Sequence, residues 1–221
     1  MNPVSLSKTI LFQGASPQEI EAMLHCLQAE EKTFRKGEII YHAGASISSM
    51  GLVLSGSVSI ENDDIWGNKS ILDTAEAGHV FAETYACTPN EPIMVSVVAS
   101  ENTTILFLHV GRLLQVCSNA CPHHTRIIQN LLFISTQKNL NLSRRIFHTS
   151  AKSIRGRLLS YLSFQAMQKD SLNFTIPFNR QQLADYLSVD RSALSNELSK
   201  MQKEGLLTVE KNHFILTEQM Q

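Results

Sequence analysis

The sequence predicts an α+β chain in three parts: an antiparallel β-roll of jelly-roll type, one long helix, and a C-terminal winged helix-turn-helix. Three observations carry this. Between residues 30 and 109, short β-rich runs alternate with turn signals. From Pro122 to Thr149, apolar residues recur at helical spacing. Past Ser153, three short helical patterns end in two strand-like runs turned at Lys211-Asn212. The expected divisions are 1–121 for the roll with its N-terminal helix, 122–149 for the long helix, and 150–221 for the last domain.

Composition sets the class. Of 221 residues, 43% are hydrophobic and 18% charged, the balance of a globular protein rather than a disordered one. No apolar run approaches the roughly 20 residues that span a bilayer, so no membrane partner is expected. The start, MNPVSLSKTILFQG, lacks a basic segment followed by an apolar run, which makes the cytoplasm the expected compartment. Net charge is −1, but it is unevenly spread. Residues 1–150 hold 10 Lys+Arg against 13 Asp+Glu, and residues 151–221 hold 9 against 7. The mild basic excess therefore lies in the C-terminal part, where a polyanion would bind.

The elements follow in order. Ser16-Pro17-Gln18-Glu19 is a capping box with proline at the first helical position. It starts a helix to about Leu27, with Ile20, Met23, Leu24 and Leu27 inward. Strands are expected at 32–35, 38–41, 51–54, 57–61, 70–73, 94–99 and 103–108, with turns such as Arg35-Lys36-Gly37-Glu38 and Asn62-Asp63-Asp64 between them. Short strands at this spacing make a sandwich or roll whose interior can hold a small ligand. The long helix, roughly 26 residues or about 39 Å, exceeds the usual globular length and suggests pairing along its length. Ile127, Leu131, Ile134, Leu142 and Ile146 mark its expected dimer face. His148-Thr149-Ser150-Ala151-Lys152 is the expected hinge. A further helix over 153–168 buries Ile154, Leu158, Leu159, Tyr161, Leu162 and Phe164, and a short strand covers 173–176.

The segment FNRQQLADYLSVDRSALSNELSKMQKEGLL, residues 178–207, holds the chemistry. Asn179 caps one helix, Ser188-Val189 turns, Asp190 caps the next, and Gly205 stops it. In a winged helix-turn-helix the second helix enters the major groove and its first residues meet base edges. Arg191, Ser192, Ser195 and Asn196 stand there, with Lys200 further along. Arginine suits guanine and asparagine suits adenine, each in bidentate fashion. Arg180 and Gln181 open the preceding helix, where a guanidinium and backbone amides can hold phosphate.

This layout resembles the CRP/FNR transcription regulators, and the quoted segment is similar to that family's helix-turn-helix signature, most of all to a subgroup common in anaerobic Gram-positive bacteria. The resemblance covers nearly the whole chain. It implies a cyclic-nucleotide-binding-like roll that senses a signal, a homodimer formed by the long helix, a palindromic double-stranded DNA operator, and contact with RNA polymerase if the protein is an activator. It implies no enzyme activity. The family's recognition helix usually begins Arg-Glu-x-x-x-Arg. The matching positions here are Arg191, Ser192 and Asn196, so a different half-site is expected.

Members of the family that bind cyclic nucleotides hold the phosphate with a Gly-Glu pair and, about ten residues on, Arg-Ser. The first half survives as Phe81-Ala82-Glu83, but Ile93-Met94 stands at the second, and no arginine lies between Lys69 and Arg112. A buried phosphate without a cation would be costly, so cyclic AMP is not expected. The candidate ligand lining is Phe81, Ala82, Glu83, Thr84, Met94 and Val95, with Leu142 and Ser143 on the long helix. It suits a less anionic, partly apolar effector, unless these residues are simply core. An iron–sulfur cluster needs three or four thiolates, whereas Cys26 is the one cysteine in the first 80 residues.

Two other readings stay open. Cys117 and Cys121, four apart and followed by His123 and His124, could form a thiol or metal switch, or be buried apolar residues. A cupin-like enzyme or ligand-binding module would need a metal triad or an acid/base pair in the roll, and the sequence shows no His-x-His and no clustered carboxylates with a nucleophile. No metal site is assigned.

Overall fold

The computed structural model describes residues 2–63, 69–88, 90–114 and 122–217. The chain forms two compact units, 1–136 and 137–221.

In the first unit a short helix α1 (Pro3–Leu6) and a 3-10 turn (Ile10–Phe12) precede α2 (Pro17–Cys26). The predicted capping box is made: Ser16 N–H donates to Glu19 at 2.7 Å, and Glu19 N–H donates to Ser16 Oγ at 3.3 Å. Among the described residues eight strands follow: β1 (Glu30–Phe34), β2 (Ile39–Tyr41), β3 (Ser49–Ser55), β4 (Ser57–Asp63), β5 (Lys69–Glu76), β6 (Val80–Phe81), β7 (Ser96–Ala99) and β8 (Thr103–His109). They make two four-stranded antiparallel sheets, in the orders β1-β8-β3-β6 and β2-β7-β4-β5. Helix α3 (Glu83–Cys87) interrupts the roll, and α4 (Val110–Leu114) leaves it.

The central strands β3 and β8 of the first sheet are covered on both faces, which explains why Met50–Leu54 and Ile105–Leu108 read as continuous apolar runs rather than alternating ones. On β3 and β8, Met50, Leu52, Leu106 and Leu108 join a helical core with Leu11, Phe12, Ile20 and Met23. Val53 and Ile105 join the roll interior instead. That interior is filled by aromatic rings: Tyr41 stands edge-on to Phe81 and Phe107, and Phe34 to Phe107. Phe81 has no exposed surface. Its ring covers the position opposite Gly51, where an added Cβ would lie 2.1 Å from the Phe81 ring.

Helix α5 (Pro122–Thr149) corrects the expected dimer face. Ile127 and Leu131 are 1% and 6% exposed, sunk in the helical core of the first unit, and Ile134 packs against the same core. Leu142 and Ile146 remain exposed, together with Ile128 and Leu132. An amphipathic period gives the existence of an apolar face. It does not say which of two apolar stripes the chain keeps for itself, and here both are apolar.

In the second unit, α6 (Ile154–Lys169), α7 (Arg180–Leu187) and α8 (Arg191–Lys203) surround one core with a three-stranded sheet. Its strands are β9 (Asn173–Thr175), β10 (Leu207–Glu210) and β11 (His213–Leu216), in the order β10-β11-β9. Leu158, Leu162, Leu183, Leu194, Leu198, Met201 and Phe214 are all within 2% of full burial. Ile154, Leu159 and Phe164, expected in the core, are only partly buried.

Gly51→Ala should overpack the roll, because the Phe81 ring is held by Tyr41 and has nowhere to go. The expected cost is about 2 kcal/mol, read as a lowered urea midpoint. An unchanged midpoint would contradict this packing.

Candidate nucleic-acid interface

The α7–turn–α8 unit is built by local chemistry. Asn179 caps α7 through Gln182 N–H at 2.9 Å, and Gln182 returns a bond to Asn179 N–H at 2.9 Å. Ser188 ends α7 in the left-handed region at φ 54°. Its N–H and that of Val189 donate back to the Asp185 and Ala184 carbonyls, a helix-closing geometry. Asp190 then caps α8, accepting from Ala193 N–H at 2.9 Å and from Ser192 Oγ at 2.5 Å. These bonds hold the Asp190 carboxyl below the ordinary carboxylate range, the Ser192 hydroxyl contributing most. The folded value is depressed, so the cap stabilises α8 above about pH 4 and is lost as pH falls below that.

Arg191, Ser192, Asn196 and Lys200 are exposed on α8, and Ser195 is half-exposed. At 100° per residue Ser192, Asn196 and Lys200 fan over the side opposite buried Leu194, Leu198 and Met201, and Arg191 and Ser195 stand at its edge. Not all are equally free. Ser192 is held by Asp190, and Ser195 Oγ donates to the Arg191 carbonyl at 2.9 Å. Lys200 lies 3.9 Å from Glu197, a weak surface pair. On α7, Gln181 donates to Asp185 at 2.8 Å. Arg180 is half-buried, with its guanidinium 3.4 Å from the Lys211 carbonyl at the tip of the β10–β11 turn. Burial lowers its pKa.

Three arginines that the sequence reading passed over fix this unit. Arg155 on α6 donates through Nε to Glu197 at 2.6 Å and through both terminal nitrogens to Glu204 at 2.8 Å each. This fork ties α6 to α8, keeps the guanidinium charged and holds the Glu204 carboxyl low. Arg145, near the end of α5, donates to the Tyr186 and Asp185 carbonyls at 3.1 and 3.0 Å. Arg157 donates to Leu187, Ser188 and Ala151 carbonyls at 3.0, 2.9 and 2.9 Å. Four consecutive carbonyls ending α7 are thus taken by two guanidiniums. No local pattern signals this, because the partners are 30 to 41 residues apart.

The candidate ligand residues are scattered. Phe81 is core and offers no surface to a ligand. Ala82 sits at φ 60°, a strained value for a residue with a Cβ, and caps α3. Glu83 is 4% exposed, while Thr84 and Met94 face outward and Val95 packs half-buried on the roll core. Leu142 and Ser143 belong to the second unit and are exposed. Cys117 and Cys121 lie outside the described residues, as do the side chains of His123 and His124. Among the described residues, no group of three or more His, Cys, Asp or Glu side chains could hold a metal. Among them too, no helix is long and apolar enough to cross a membrane.

Comparison with known proteins follows this division. Residues 31–120 match the family described as "Cyclic nucleotide-binding domain", and residues 156–220 match the "Crp-like helix-turn-helix domain". Among solved structures, the chain is similar to CprK complexed with OCPA (17% identity, 90% of this chain and 91% of that one, TM-score 0.64). It is also similar to the c-di-GMP responsive global regulator CLP of Xanthomonas campestris (18%, 91% and 99%, TM-score 0.58). A third likeness is to the Thermus thermophilus catabolite activator protein (19%, 95% and 94%, TM-score 0.52). At these identities the likeness shows the fold. Curated proteins give no match.

Arg157→Ala should leave the Leu187 and Ser188 carbonyls without their donor. The second unit should lose about 2 kcal/mol of stability, measured by chemical denaturation. A loss under a few tenths would show that the clamp is ornamental.

Proposed function

We propose that this chain, a member of the CRP/FNR family of DNA-binding transcription regulators, works as a homodimer that reads a two-fold symmetric DNA site under control of a signal sensed in its roll. The observation that carries this is α8. Its first two turns expose Arg191, Ser192 and Asn196 while its other side is locked by Leu194, Leu198, Met201 and the Arg155 fork. A helix so held presents a fixed row of polar groups, as base reading demands. Arg191 reads guanine, Asn196 an adenine, and Ser192 and Ser195 fill between them. Lys200, Arg180 and Gln181 contact the phosphates and set the register. If the protein is an activator, RNA polymerase is its further partner.

The dimer uses the stripe that the chain leaves uncovered. Ile128, Leu132, Ser135, Asn139, Leu142 and Ile146 recur at spacings of 4, 3, 4, 3 and 4, the seam of a two-stranded coiled coil, and all six are exposed. Asn139 at such a seam position favours one register at some cost in stability. Dimerisation sets two α8 helices about 34 Å apart, one turn of DNA. The signal acts as a population shift that alters this spacing.

The effector is not cyclic AMP. Support comes from the missing cation: no arginine lies between Lys69 and Arg112, and Ile93 and Met94 stand where the Arg-Ser pair belongs. Ile93 is buried and Met94 71% exposed, so neither position supplies a charge to a phosphate. Thiol control through Cys117 and Cys121 remains the second reading, resting on their spacing alone.

Selection from a random double-stranded DNA pool tests the proposal. A palindrome with half-sites one turn apart should be enriched. On that site Arg191→Ala should weaken binding by about 10- to 100-fold, the cost of one bidentate contact. Salt-dependent binding to random DNA should stay nearly the same. Equal loss on both DNAs would place Arg191 on the backbone and remove its reading role.

Leu142→Glu together with Ile146→Glu should give a monomer in analytical ultracentrifugation. Its affinity for the palindrome should drop at least about tenfold through lost bivalency. A persisting dimer would move the interface elsewhere.

A further inference from the structure

Where α5 ends beside α6 and α7, the second unit holds a cavity of about 340 Å³. This is at the small end of the roughly 300–1,000 Å³ range of ligand sites. Its walls are aromatic: Phe164, Phe178 and Tyr186. Two further lining residues are almost wholly buried, His148 at 1% and Tyr161 at 2% exposure. Both leave a polar atom without a hydrogen-bond partner among the described residues, His148 Nε2 and the Tyr161 hydroxyl. Buried polar groups are rarely left so, because each orphan costs a lost bond to water. Here the two residues that carry the orphans line one cavity, with their rings 5.5 Å apart and perpendicular.

The charge of the lining is one-sided. Arg144 is the one charged lining residue, its guanidinium 5.6 Å from the Phe164 ring, and no carboxylate joins it. A cationic guest is thereby disfavoured, although aromatic walls alone would suit one. His148 Nδ1 lies 3.2 Å from Ser160 Oγ, so Nε2 is the ring atom left for a guest. Burial, and then the Arg144 charge, lower the His148 pKa, so the ring is neutral at pH 7.

We propose that this cavity binds a small aromatic anion, a single planar ring bearing a carboxylate. The ring stacks among Phe164, Phe178 and Tyr186, one carboxylate oxygen pairs with Arg144, and the other accepts from the Tyr161 hydroxyl. Both orphan atoms are covered in the free structure, so binding includes a side-chain adjustment of the aromatic walls. The site touches the same α5 turn whose Arg145 holds the end of α7. Occupancy therefore bears on the recognition unit from the long helix rather than from the roll. Binding stands apart from the DNA-reading proposal; only a consequence for DNA affinity rests on it.

Benzoate, benzamide and benzylammonium, titrated into the full chain with ¹⁵N-labelled histidine, separate charge from ring. Benzoate should shift the His148 ring signals and bind at least about tenfold tighter than the other two, and Arg144→Gln should abolish that preference. Tyr161→Phe should raise the melting temperature of the free protein by removing an orphan. The same change should weaken benzoate about fivefold, the effect of one hydrogen bond. Opposite signs in one variant are not given by a packing role. No His148 shift with benzoate, tighter benzylammonium binding, or unchanged benzoate affinity in Tyr161→Phe would each overturn the site.

Discussion

A helix must find donors for its last carbonyls, and in this protein that requirement ties the reading unit together. The carbonyls of Asp185, Tyr186, Leu187 and Ser188 accept from two guanidiniums, Arg145 on the long helix and Arg157 on α6. Neutral caps would have satisfied the same groups. Guanidiniums do more, because each is anchored on a different helix and its planar fork fixes direction as well as distance. The left-handed turn at Ser188, the Asp190 cap and the start of α8 all follow from where α7 is made to stop. The Arg155 fork to Glu197 and Glu204 then fixes α8 from its other side.

Much of this was legible in advance. The capping residues Ser16, Asn179 and Asp190 mark three helix starts because a cap is a local event, decided within four residues. Strands were legible because turn residues punctuate them, and all seven expected runs overlap observed strands. The Crp-like helix-turn-helix was legible because its apolar spacing and its turn both fall within about 25 residues. What stayed hidden is non-local. The helix α3 is entered through Ala82 at positive φ, which a sequence would have advertised only with glycine. The arginine clamps connect residues 30 to 49 apart, and each arginine alone looks like a solvated charge.

The long helix shows the same limit from another side. Its apolar residues fall in two stripes about 100° apart, one containing Ile127, Leu131 and Ile134, the other Ile128, Leu132, Leu142 and Ile146. Hydrophobicity cannot rank them. Burial does: the first stripe is consumed by the helical core around Leu11, Phe12 and Ile20, leaving the second to solvent. A helix with one spent stripe and one open stripe has room for a partner without giving up its own domain.

The sensor end poses the opposite constraint. A roll that binds an anion must keep a cation or a set of amides facing an open interior. This roll fills its interior with Phe34, Tyr41, Phe81 and Phe107, and burial drives the Tyr41 hydroxyl pKa up to about 12. Its Gly51 exists to admit the Phe81 ring. Aromatic close packing of this kind stabilises the roll and suits an apolar signal better than an anionic one. The second unit does the reverse: it keeps a cavity lined by His148 and Tyr161 and holds two buried polar atoms without partners among the described residues. Strain of that sort is retained where something relieves it, and in this chain it is retained next to the turn that aims α8. The cavity proposed as a ligand site and the residues proposed to read DNA thus both lie within residues 141–200, a second input beside the signal proposed for the roll.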